Sequence, residues 1–299
     1  MEEKVYDYAI YQKEGSIARV ILNRPEKLNV TNMMGTTEGV WTDMHRGLDE
    51  AAEDDEVKVV ILKGAGRAFT AGEDLSQAGF VYGFGVTKEA RRPSQRVRLK
   101  ILRKFHEEGE KVMFFPKVLI GQGHGYCLGA GSMLLNECDL AIVAEDAVLG
   151  YIQERVGGPG LSLTIPLILS VGLKKAKELI YTGKTITGKE AAEIGLVNHA
   201  VPADKVEEEV EALAQDIACM SRDGLYIGKA QTEIIYNLLG IGSAFATNHI
   251  AHSLFTNLRW EPDEYNLFKE RRNKGMRESL HGMHRHFGGD ISERGKKEG

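Results

Sequence analysis

The sequence predicts an α/β fold, a mostly parallel sheet with crossover helices, followed by a helical C-terminal region. Three observations carry this. Residues 57–63 (VKVVILK), 117–121 (KVLIG) and 140–144 (LAIVA) are short apolar runs of the kind buried in parallel sheets. Helical patterns and glycine-rich loops separate them, and parallel strands require such crossovers. From residue 160 onward the pattern is mainly helical.

The elements follow in chain order. Residues 6–12 alternate, Glu14-Gly15-Ser16 is a turn, and 17–22 is a second strand, so the pair reads as a hairpin. Asn23-Arg24-Pro25-Glu26-Lys27-Leu28 is a loop with a proline stop. A helix is expected over 36–54, with Val40, Met44 and Leu48 on one face. The three buried strands come next, and the second leads into a glycine-rich stretch and a helix from Ser132. Further helices are expected at 174–181, 188–194, 204–220 and 264–285, and a frayed tail at 292–299. The change of pattern near residue 200 divides the chain into a core, 1–200, and a helical region, 201–299.

Composition narrows the function. The 299 residues are 42% hydrophobic and 27% charged, as in a globular chain with a sizeable core. A net charge of −5 gives no overall basic field for nucleic acid or membrane. Cys127, Cys138 and Cys219 form no CxxC pair, which argues against a disulfide framework or zinc and for the reducing cytoplasm. The acidic start lacks a signal-peptide pattern, and no apolar run reaches membrane-spanning length. Residues 88–104 are locally basic. They read as a solvated helix face, with a phosphate-attracting rim as the sharper alternative.

Two loops carry the chemistry. The first is Ala71-Gly72-Glu73-Asp74-Leu75 and the second is Gly125-Tyr126-Cys127-Leu128-Gly129-Ala130-Gly131. Both follow buried strands, where α/β sheets bind ligands. Glycine lets a backbone N–H approach a ligand unobstructed. The second loop opens a helix whose first N–H groups lack intrahelical partners and favour negative charge. Two N–H groups converging on one oxygen form an oxyanion hole. Neither loop is a P-loop or a dinucleotide fingerprint.

The order and wording of the motifs resemble one family. Leu22-Asn23-Arg24-Pro25-Glu26-Lys27-Leu28-Asn29 is followed by Gly66-Arg67-Ala68-Phe69, Ala71-Gly72 and Asp74-Leu75. Then come Gly125-Tyr126, Leu128-Gly129, Gly131 and Cys138-Asp139, and later Gly172 with Ala176, Thr182-Gly183, Glu190-Ala191 and Gly195-Leu196-Val197-Asn198. Together they resemble the crotonase (enoyl-CoA hydratase/isomerase) superfamily over residues 5–287. The resemblance implies a spiral of ββα units with a C-terminal helical region for trimerisation, often as a dimer of trimers. It implies a coenzyme A thioester as substrate, no permanently bound cofactor and no metal, and a place in fatty-acid metabolism. By position, Glu73 and Ala130 would supply the oxyanion N–H groups to a thioester enolate. Lys27, Leu28 and Ala71 would line the CoA channel, and Asp74, Leu75, Gly129 and Met133 would border the substrate.

The match fails at the proton-transfer positions. The family's hydratases use two glutamates. Met133 stands at the first position, and Ile152-Gln153, followed by Glu154, at the second. Three readings stand open: Glu154 takes the role by a one-residue slip, Gln153 orients water without acting as a base, or other residues do the chemistry. A glutamine cannot lose and regain a proton near pH 7. Hydratase-like chemistry is the default reading. A same-fold isomerase or C–C hydrolase, or a non-catalytic acyl-CoA binder, are the alternatives.

Several other residues have competing readings. Glu154 is equally an ion-pair partner of Arg155. Glu137 reads as the outer face of its helix, Asp139 as a cap, Asp74 as fixing its own loop, and His124 as orienting a loop. His249 and His252 lie at i, i+3 without a third ligand, so metal is not expected. His281, His284 and His286 read as solvent-facing, and Arg285 or Lys274 as contacts for CoA phosphates. Tyr82, Tyr126 and Tyr151 are candidates for an acyl pocket, with burial the competing reading for all three and preferred for Tyr126. The segment 77–112 with Phe80, Tyr82 and Phe84 reads as a mobile lid.

Overall fold

The computed structural model describes residues 1–32, 38–76, 79–85, 87–157 and 164–288. The N-terminal strand β1 (Glu2–Val5) pairs antiparallel with β2 (Ala9–Glu14), which turns at Gly15 into β3 (Ile17–Leu22). From β3 the sheet is parallel through β4 (Val59–Gly64), β5 (Val118–Gly123), then β7 (Leu140–Ala144) and β10 (His199–Val201). A second sheet joins β6 (Tyr126–Leu128), β8 (Val148–Gly150) and β9 (Thr185–Thr187). The mixed, parallel-rich sheet matches the α/β prediction. The three-residue strands β8 and β9 carry too little pattern to read in the sequence.

Hydrophobic patterning explains the layers. β4 buries Val59, Val60, Ile61 and Leu62 in succession, as a strand covered on both faces must. Helix α1 (Val40–Glu53) packs on β2 and β3 and buries Val40, Met44 and Leu48. Its start lies beyond the predicted residue 36; residues 33–37 lie outside the described residues. Helix α6 (Val206–Ala218) lies on β4, β5 and β7 and sends Val206, Val210 and Ala214 into the main core. The sheet is thus completed from beyond residue 200.

Three helical features differ from expectation. The 264–285 stretch is two helices, α9 (Leu267–Lys274) and α10 (Met276–His286), broken at Gly275, whose backbone is non-helical. Helix α4 (Thr164–Thr182) bends at Gly172, where φ is 75°. The basic segment enters α2 (Gln95–Met113), and Arg98 is buried there, not solvated. Its guanidinium donates to the Thr256 hydroxyl and to Asn257, at the end of α8 (Ile241–Phe255).

Along the contact of α2 with α8, and beside α1, three imidazoles are buried. His106 and His252 stack edge to face, centroids 5.6 Å apart, and Phe105 packs against both. His45 stacks on Trp41. Burial pulls His45 down to about 4, helped by Lys111, so its 3.1 Å contact with Glu108 is not an ion pair at pH 7. Burial likewise pulls His106 to about 3 and His252 to about 4.

These values set a pH window. As pH falls below 6.5 the unfolded chain protonates these imidazoles and the folded chain does not. Their contribution to stability is full above pH 6.5 and is lost as pH falls towards 4, at up to about 1.4 kcal/mol per pH unit for each. Denaturant melts between pH 7.5 and 4.5 should show this fall, with a shallower slope in His106→Phe. Identical slopes for both proteins would remove His106 from the account.

Candidate active site

Three loops meet beyond the carboxyl ends of β3, β4 and β5. Asn29 joins them from a left-handed backbone position, φ 52°, fully buried. Its amide donates to the carbonyls of Ala65 and Ala68, both at 2.8 Å, and its side-chain oxygen accepts from the Arg24 N–H. Leu28, also left-handed, accepts from the Ala71 N–H at 3.0 Å. Thr31 donates to Gly72 and accepts from Asp74, so this short ladder steps over Glu73.

The second and third loops cross the same way. Thr70 donates to Tyr126 and accepts from Leu128. Gly72, at φ 91°, comes so close that a Cβ there would sit 2.7 Å from the Leu128 carbonyl and 3.4 Å from the Ala130 nitrogen. Ala130 opens helix α3 (Ala130–Glu137) behind Gly129, so its N–H belongs to the first turn, which has no intrahelical acceptor. Ser132 fixes that turn: its hydroxyl donates to Cys127 at 2.6 Å and accepts from Gly150 at 2.8 Å.

This junction floors a cavity of about 470 Å³. Lys27, Leu28, Ala71, Glu73, Asp74, Leu75, Gly129, Ala130, Met133 and Gln153 all line it. Glu154 does not; it is exposed, on the 3-10 turn Ile152–Val156 that carries Gln153 and Val156 inward. Gln153 and Met133 engage each other, the amide lying 3.3 Å from the thioether sulfur. Asp74 accepts from the Ser76 N–H and faces Arg24 at 3.3 Å. Burial alone would raise its pKa, but the Ser76 bonds, Arg24 and Lys27 together hold it below the usual range.

The roof was not anticipated. Met276, Leu280, Met283 and His284 of α10 line the cavity, at spacing i, i+4, i+7 and i+8. That spacing was present in the sequence, hidden by reading 264–285 as one helix. His284 therefore faces the cavity, whereas His281 and His286 are exposed as expected. Phe105 of α2 and Ile152 were also missed as wall residues.

Of the three tyrosines, Tyr126 departs from its preferred reading, and Tyr82 and Tyr151 take the buried one. Tyr126 lines the cavity. Tyr151 is buried and donates to the Ser132 carbonyl, and Tyr82 is buried against Phe268, centroids 5.4 Å apart. The presumed lid is held at Tyr82 by this stack, and Arg271 of α9 donates to the carbonyls of Leu75 and Phe84. Gln77, Ala78 and Val86 lie outside the described residues.

Glu137 is not on an outer face. It is 3% exposed, its carboxyl over Gly109 of α2, and burial pushes it up to about 8, so it is held neutral at pH 7. It does not line the cavity. Asp139 accepts from the Leu119 N–H and from Lys229, and His124 contacts the Gly66 carbonyl, both in structural roles. Lys274 pairs with Glu270. Arg91, Arg92, Arg96 and Lys100 are exposed and do not line the cavity. No cluster of three metal-binding side chains occurs among the described residues, and none of their helices is long and apolar enough to cross a membrane.

The chain as a whole is similar to proteins of one family. Residues 12–274 match the family model described as enoyl-CoA hydratase/isomerase. A Thermus thermophilus protein named "Putative enoyl-CoA hydratase" is 32% identical over 230 residues, 77% of this chain and 84% of its own. The hydroxycinnamoyl-CoA hydratase-lyase of Pseudomonas fluorescens is 35% identical over 208 residues, 68% of this chain and 70% of its own. An enoyl-CoA hydratase/isomerase structure from Xanthobacter autotrophicus Py2 superposes with a TM-score of 0.80 at 27% identity, covering 93% of this chain and 98% of that one.

The close approach at Gly72 is testable. Gly72→Ala adds a Cβ against the Leu128 carbonyl and places alanine at a positive φ, and should lower stability by roughly 1–3 kcal/mol. Gly240→Ala, at φ 80° with open space around it, should cost about 1 kcal/mol from φ alone. Thermal melts giving equal shifts would show that the junction tolerates the added methyl.

Proposed function

The chain belongs to the enoyl-CoA hydratase/isomerase family, and we propose that its cavity stabilises a thioester enolate through the N–H groups of Glu73 and Ala130. It is a hydratase-like acyl-CoA enzyme. The observation that carries the enolate reading is the approach of Gly72 to Ala130, which brings the peptide leading into Glu73 beside the first turn of α3. As the substrate gains a bond at Cβ, negative charge grows on the thioester oxygen. Two fixed N–H donors in an apolar cavity stabilise that charge more than they stabilise the neutral thioester. The apolar wall of Phe105, Met133, Ile152 and the α10 roof suits the acyl chain, and Lys27 and Leu28 stand at the side assigned to CoA.

A different surface supports an assembly of several copies. Ile227, Ile234, Ile235 and Leu238 of α7 (Arg222–Leu238) are at least half exposed or nearly so, as are Ile250 and Leu254 of α8. An apolar surface of this extent supports burial against further copies of the chain, as a homotrimer or a dimer of trimers.

Two measurements test the reading. Crotonyl-CoA, longer enoyl-CoAs and aromatic enoyl-CoAs should lose their conjugated absorbance with at least one chain type. Silence across the panel, with acyl-CoA still bound, would favour a binder instead. Ala130→Pro removes one N–H at the first helical position, where proline is tolerated. It should lower kcat by about 10²–10³, roughly 3 kcal/mol of transition-state stabilisation, and leave the fold intact. Unchanged turnover would exclude Ala130 as a donor.

A further inference from the structure

We propose that Glu73 acts twice, its backbone N–H holding the thioester oxygen and its own side-chain carboxylate moving the proton that Met133 and Gln153 cannot. The inference rests on the enolate reading above and supplies the group that reading lacks.

Three observations converge on the carboxylate. First, the wall positions where a proton-transfer group was expected are chemically silent: a thioether and an amide, in contact with each other at 3.3 Å. Glu154, the nearby carboxylate, is exposed and outside the cavity. Second, Glu73 lines the cavity. Covalent geometry ties its carboxylate to within about 6 Å of its own nitrogen. A donor N–H on the thioester oxygen keeps that carboxylate on the wall beside the thioester, where one water can link it to Cα and Cβ. Third, Glu73 is half-buried, and its charge adds to the rise that burial causes at the nearby buried phenol of Tyr82.

Among the described residues, the other ionisable groups lining the cavity are Lys27, Asp74, Tyr126 and His284. Asp74 is held ionised by Ser76 and Arg24 and is committed to its loop. His284 stands on the α10 roof, on the opposite element from the junction. Glu73 is the ionisable side chain attached to the residue that contacts the reacting group.

The step balances with water as the only co-reactant. The Glu73 carboxylate takes a proton from water as the water oxygen bonds to Cβ. The π electrons move through Cα to the thioester oxygen, forming the enolate. The enolate carbonyl re-forms as Cα takes a proton back from the Glu73 carboxyl, so one water is added and the carboxylate is restored. Run on a saturated thioester, the same group removes and returns a Cα proton.

The test compares wild type, Glu73→Gln and Glu73→Asp in the full chain. Glu73→Gln keeps the backbone N–H and the shape of the side chain. Its kcat for enoyl-CoA hydration should fall by about 10²–10⁴, with KM changed by less than about threefold and the acidic limb of the kcat–pH profile abolished. Exchange of Cα protons of butyryl-CoA into deuterium oxide should fall in parallel. Glu73→Asp should recover part of both rates and restore the acidic limb. A wild type that hydrates while Glu73→Gln matches its rate and pH profile overturns this inference and leaves the enolate reading standing. A His284→Gln variant that loses the acidic limb, with Glu73→Gln retaining it, also overturns the inference. A wild type that neither hydrates nor exchanges any Cα proton overturns both.

Discussion

The structure of the cavity depends on one crossing of backbones. Gly72 lies against Leu128 and Ala130 with no room for a side chain, and the ladders from Thr31 and Thr70 clamp it from both sides. Asn29 makes the crossing possible by filling a left-handed position and satisfying carbonyls that would otherwise be buried unpaired. Such a junction consists of backbone groups, so its electrostatics depend little on the side chains carried there. That explains how Glu73 can occupy a loop whose main-chain geometry matches a large family.

Freedom of side chain at a fixed backbone has a chemical result. Donors built from N–H groups are ready before substrate arrives and need no reorganisation as charge develops. Proton transfer is different, because it needs a particular ionisable group at a particular place. Here the Gln153 amide donates to the Met133 sulfur, and neither side chain can carry a proton to and from substrate near pH 7. The buried acid of this helix, Glu137, lies off the cavity and is held neutral by burial. On the proposed reading, the chemistry divides into an electrostatic part carried by the backbone and a proton-transfer part that depends on one ionisable side chain.

The sequence made the strands and the two loops legible because their signals are local. Val57 to Lys63 announces a doubly covered strand by composition, and the glycines around 72 and 129 announce close backbone approach. Long-range facts were not legible. Nothing local says that Glu137 faces Gly109, that Arg98 caps the end of α8, or that Tyr82 turns away to stack on Phe268. The α10 roof was hidden for a smaller reason: Gly275 interrupts two helical patterns that look continuous by residue count. Once the break is placed, Met276, Leu280, Met283 and His284 fall on one face.

That roof comes from far along the chain. The cavity draws its floor from residues 27–30, 71–76 and 126–133 and its cover from residues 276–284. During synthesis, a ribosome-bound chain that has emerged through residue 200 contains every loop of the junction and neither the α6 layer nor the cover. The pocket's apolar walls stay open to solvent and to chaperones until more than ninety per cent of the 299 residues have been made, about 276 of them. A nascent chain thus lacks a covered acyl cavity until α10, the last helix among the described residues, has been made.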